Sequence, residues 1–147
     1  MTLLVGAAEI ANADVLNMPG ERSATPIIQA EVHRGAQVAF KCSVGVYNAR
    51  QVQSCLEKAI DANLKFSTAG DAFMLGLYFN AWRLARINAE LRGDADWTYT
   101  TICDLMNVQK YRGMLGLSMD EVMSEDGNRV YRQKWEEWEA QAQGKCR

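Results

Sequence analysis

Residues 70–93, GDAFMLGLYFNAWRLARINAELRG, organise the rest of the chain. Phe73, Leu77, Leu84 and Leu91 fall beside Met74, Tyr78, Ala81 and Ala85 on one face of a helix, and Leu75, Phe79 and Trp82 make a second apolar face. A helix that is apolar nearly all round in its first half must be enclosed by other elements, so 71–92 is the expected central buried helix. Gly70-Asp71 opens it. Arg83, Arg86, Glu90 and Arg92 restore polarity toward its end, where Gly93 is placed to terminate it.

On the N-terminal side, Asn48 is an N-cap for a helix whose apolar face is Ala49, Val52, Leu56, Ala59, Ile60 and Leu64. The stretch 27–46 supports two readings. Apolar residues occupy nearly every even position, from Ile28, Ala30 and Val32 through Ala36, Val38 and Phe40 to Cys42, Val44 and Val46, which is the period of strands and suggests a small hairpin turning at Arg34-Gly35. Thr25-Pro26 as N-cap and first helical position, with Ala, Gln, Glu and Lys downstream, suggests a helix instead, the reading consistent with the rest of the chain.

On the C-terminal side, Asp94 or Asp96 caps a helix through Trp97, Ile102, Leu105, Met106 and Val108 that ends near Gly113. Ser118 with Glu121 forms a capping box for a short helix carrying Met119, Val122 and Met123, and the stripe Tyr131, Trp135, Trp138 and Ala142 marks a last helix over about 128–143. The expected fold is therefore mainly α. It is a compact bundle of about five helices around the central helix 71–92, with 27–46 as either helix or a small β-hairpin.

The whole chain has 147 residues, with 48% hydrophobic and 23% charged, which suits one ordered domain with a sizeable core. A formal charge of −2 with no Lys or Arg block argues against nucleic acid as a partner. The longest apolar run, Ala72 to Trp82, falls well short of the ~20 residues that cross a bilayer, so no membrane span is expected.

Cys42, Cys55, Cys103 and Cys146 contain no Cys-x-x-Cys pair, and that spacing suits a disulfide framework better than a metal cage or redox centre. Cys42 with Cys55 and Cys103 with Cys146 is the pairing proposed among three connectivities. Ahead of them, Leu3 to Ala8 followed by Ala11-Asn12-Ala13 resembles half of an export signal, although no Lys or Arg precedes it and Glu9 interrupts it. Residues 1–13 are accordingly read as the remnant of an export signal and 14–147 as a single helical domain.

No constellation in the sequence names a reaction. His33 is the only histidine and has no nucleophile partner in view, so it is expected at a surface or turn. Gly116-Leu117-Ser118-Met119-Asp120 lacks the second glycine of a nucleophile elbow, and the acidic stretch around Gly127 fails the EF-hand spacing. No catalytic, cofactor-binding or metal-binding residues are assigned, and no cofactor is expected.

Two features suit a partner surface. The methionines Met114, Met119 and Met123 supply flexible thioethers that suit a partner groove and suit the filling of irregular core gaps still better, and the last helix carries Arg129, Arg132 and Glu136 in a charge order opposite to the one its dipole favours. The leading expectation is a periplasmic or secreted, disulfide-stabilised helical protein that binds another protein, as an inhibitor, immunity protein or envelope accessory protein does. A cytoplasmic helical adaptor or regulator with reduced cysteines is the alternative, and an enzyme with an unrecognised site is the third.

Overall fold

The computed structural model describes residues 26–66 and 69–117, together with Glu137, Ala140 and Cys146. Among these residues there are four α-helices and no strand: α1 (Pro26–Ser43), α2 (Ala49–Asn63), α3 (Gly70–Arg92) and α4 (Ala95–Met114), with a 3-10 turn at Leu64–Phe66 after α2. Of the further helices expected beyond Ser118, only Glu137 and Ala140 of the last one are described, both helical and exposed, so the count of about five is matched only by these four.

Local chemistry accounts for the helix ends. The Asn48 side chain accepts from the Gln51 backbone N–H at 3.1 Å, and the Asp94 carboxylate accepts from the Trp97 N–H at 2.8 Å, each satisfying a donor that the first helical turn leaves open. Gly93 ends α3 with φ 65°, the left-handed conformation that glycine adopts without a Cβ penalty.

The central helix is the one the sequence predicts, with eleven buried residues on α3. It is apolar all round because it serves two core clusters. Ala72, Leu75, Phe79 and Trp82 pack with Val32 and Ala36 of α1 and with Leu105 and Val108 of α4. Phe73, Met74, Leu77, Ala81 and Ala85 pack with Ala39 and Cys42 of α1, with Val52 and Leu56 of α2, and with Trp97. Leu91, expected on the buried face, is instead 77% exposed, because the buried stripe of α3 ends at Ala85.

The hairpin reading of 27–46 is corrected: the segment is helix α1 to Ser43, followed by a short connection. Its apolar residues follow an even spacing because α1 is enclosed on more than one side. Val32 and Ala36 enter one cluster while Ala39 and Cys42 enter the other. Gly35 makes no turn. It lies where α1 meets α3, and a Cβ there would fall on the carbonyl oxygen of Phe73 and within 2.9 Å of the Leu77 nitrogen. Gly76 mirrors it from α3, because a Cβ at that position would fall on the carbonyl oxygen of Val32. One turn further on, buried Asn80 donates from Nδ2 to the Ala36 carbonyl at 2.8 Å, so a polar contact locks the same crossing.

Helix α2 is the most lightly packed of the four, approaching α1 and α4 closely at fewer positions than α3 does. Arg34 of α1 helps to hold its end, donating to Asn63 Oδ1 at 3.4 Å and to Glu31 at 3.0 Å while its guanidinium lies 4.4 Å from the centre of the Phe73 ring. No helix among the described residues is long and apolar enough to cross a membrane.

Candidate functional site

All four cysteines are in disulfides. Cys42, buried at the end of α1, joins Cys55 in the middle of α2 with Cα atoms 5.5 Å apart; Cys103 on α4 joins Cys146 at 5.4 Å. No cysteine thiol is left for nucleophilic or metal chemistry. The first bond fastens the lightly packed α2 to α1 across a separation of 13 residues, and the second closes 43. Chain-entropy arguments assign about 3 and about 4 kcal/mol to loops of those lengths. Replacing Cys42 and Cys55 together by serine is therefore expected to lower the urea midpoint measurably, and replacing Cys103 and Cys146 to lower it further, both read by circular dichroism at fixed pH.

Of the expected partner surface, Met114 ends α4 and is 58% exposed. Met119, Met123, Arg129, Arg132 and Glu136 lie outside the described residues. His33, expected at a turn or on the surface, is half-buried in the middle of α1 with Nε2 3.0 Å from the Gln37 amide nitrogen, because the segment is helical. A different exposed cluster stands where the α1–α2 connection meets the end of α3. There Arg92 lies 4.6 Å from the centre of the Tyr47 ring, next to exposed Leu91. No group of three or more His, Cys, Asp or Glu among the described residues is placed to hold a metal.

The polar feature that sequence reasoning missed is Asp104. It sits on the inward face of α4, in the heptad-like series Trp97, Thr101, Asp104, Val108 and Tyr111, and is 2% exposed. Gln53 of α2 donates from Nε2 to its Oδ1 at 3.3 Å, while Oδ2 is buried with no hydrogen-bond partner. Trp97 Nε1, two turns earlier on the same face, is likewise buried without a partner. Burial pushes the Asp104 carboxyl up to about 8, and the Gln53 hydrogen bond opposes this only in part. At neutral pH the group is therefore mainly the uncharged acid. The signal was present in the sequence as an aspartate interrupting an apolar stripe, where an unpaired acid is costly.

Tyr78 of α3 and Tyr111 of α4 adjoin this point, their rings stacked with centres 6.1 Å apart. Burial first, and then the fields of Asp104, Tyr111 and Glu57, push the Tyr78 phenol up to about 12. Acidic and phenolic groups from three helices thus converge where α2, α3 and α4 meet. Above the junction a groove of about 320 Å³ runs between α2 and α4, with Gln53, Ser54 and Glu57 on one wall and Asp96, Tyr99 and Thr100 on the other. Arg50 spans its mouth, with Nε 3.4 Å from Asp96 Oδ2, both side chains well exposed. A shallower and more open hollow of about 550 Å³ lies against Gln51, Ser54, Cys55 and Lys58.

Compared with known proteins, the chain matches no family model, no curated protein and no solved structure, so its function is read from its own residues.

Proposed function

We propose that this chain is an exported, periplasmic or secreted helical domain that works by binding another protein, in the manner of an inhibitor, immunity protein or envelope accessory protein. The observation that carries the reading is the disulfide framework. Two bonds that use every cysteine, one of them tying down the least embedded helix, favour an oxidising compartment and a scaffold built to hold its shape outside the cell. Tyr47 and Arg92 offer an aromatic ring and a guanidinium on one exposed site, residue types enriched at the centres of protein interfaces, and Leu91 beside Arg92 in the chain is also exposed.

Two measurements test the proposal. Protein taken from its native source, with thiols blocked at the moment of lysis, is expected to show no free thiol. Four free thiols would overturn export and favour the cytoplasmic adaptor. Affinity capture with the full chain is expected to recover a partner whose binding weakens on Tyr47→Ala or Leu91→Ala, both exposed enough to leave the fold intact. Binding unchanged by either substitution would remove this surface from the interface.

A further inference from the structure

We infer that the groove between α2 and α4 receives a cationic side chain, guanidinium or ammonium, of a bound protein, and that Asp104, which adjoins two residues of its wall, is the compensating carboxylate.

The groove has an acidic group on each wall, Glu57 from α2 and Asp96 from α4, so its field favours a cation. It already holds one, because the Arg50 guanidinium spans the mouth to Asp96. With side chains 84% and 58% exposed, that ion pair is weak and easily exchanged for an incoming cation.

Independently, Asp104 is almost fully buried with Oδ2 unpartnered, an arrangement that costs stability and needs another explanation. Its carboxyl is directed toward α2, where Oδ1 meets Gln53, and Gln53 and Thr100 both line the groove. Thr100 lies one turn before Asp104 on α4, so the acid, which does not itself line the groove, adjoins two residues that do. A cation entering between Gln53 and Thr100 would pair with this carboxyl, whose proton passes to solvent as the pair forms. The other titratable groups acting on the junction are Glu57 from α2, Tyr78 from α3 and Tyr111 from α4. The Tyr78 phenol, pushed up to about 12 by burial first, stays neutral at physiological pH and adds no negative charge there.

The inference rests on the protein-binding reading for the source of the cation, and its test separates the two. Nitrogen-15 amide spectra of the full, disulfide-bonded chain are followed during titration with N-acetyl-arginine methylamide, N-acetyl-lysine methylamide and the neutral isostere N-acetyl-citrulline methylamide, with spermidine as a free amine. The arginine and lysine probes are expected to move the amides of Gln53, Ser54 and Thr100, more strongly at about pH 9 than at about pH 6, while citrulline leaves them in place. Arg50→Ala is expected to tighten the arginine probe about two- to fivefold by removing the internal competitor. Glu57→Gln, at an exposed position, is expected to weaken it, and Asp104→Asn to remove the gain with pH.

An equal response to citrulline, or no tightening in Arg50→Ala, overturns the inference. Spermidine displacing the arginine probe from the same amides at far lower concentration overturns the partner side chain in favour of a free polyamine. Capture of a protein partner whose affinity is indifferent to Glu57→Gln overturns the groove and leaves the protein-binding reading standing.

Discussion

Gly76→Ala lowers stability by about 3 kcal/mol net of the helix-propensity gain, seen as a fall in both the urea midpoint and Tm. The added methyl would fall on the carbonyl oxygen of Val32, with the Val32 carbonyl carbon 2.7 Å and Cα 2.9 Å away. Those atoms are backbone in a helix whose neighbouring side chains are fully buried, so no rotamer change makes room. The helices must separate, which loosens both core clusters and stretches the Asn80 contact to Ala36. Gly35→Ala meets Phe73 and Leu77 in the same way and is expected to cost a similar amount. Together the two substitutions should cost less than their sum, because the first has already forced the gap that the second needs. Gly113→Ala is the control. It sits in α4 with nothing within 4 Å of a new Cβ, so helix propensity alone should stabilise the protein by up to about 1 kcal/mol. Equal effects at Gly76 and Gly113 would show that α1 and α3 do not meet as described.

The second large effect is a pH dependence traceable to one residue. The Asp104 carboxyl ionises near 3.8 in an unfolded chain and, through burial, near 8 in the folded one. Between those values the folded state holds a proton that the unfolded state has released. Stability therefore falls as pH rises across that window, by roughly 1 kcal/mol for each pH unit, and levels off above about pH 8. This is opposite in sign to the usual ion-paired aspartate, whose stabilisation is lost toward acid. Asp104→Asn keeps the shape without the charge, so it is expected to match the native chain near pH 4 and to exceed it in urea midpoint at pH 8 and above. The difference between the two profiles isolates this group from the other carboxylates. A native chain more stable than Asp104→Asn at pH 8 would mean that the carboxylate is paired in the folded state.

Much of the helical plan could be read from short-range signals. The Asn48 and Asp94 caps, the Gly93 stop and the doubly apolar stretch from Phe73 to Trp82 each express physics confined to one helix turn or one helix face, and they locate α2, α3 and the start of α4 closely. The cysteine spacing points to a disulfide framework, but it leaves three connectivities open, and the structure joins Cys42 to Cys55 and Cys103 to Cys146, the pairing proposed.

The segment 27–46 carries no such decisive local signal. A period of two in a stretch rich in small residues fits a strand, and also a helix gripped from several sides, and only its neighbours distinguish the two. Helix α1 is chosen because Gly35 and Gly76, about forty residues apart, let two backbones approach more closely than any side chain allows. Asp104 is the same kind of case, because its lone hydrogen bond reaches a glutamine 51 residues away and its missing partner follows from burial between helices. Periodicity and caps state what each helix prefers alone. The helix crossing, the buried acid and the groove beside it arise from the distances between helices, and those distances depend on residue pairs that lie far apart along the chain.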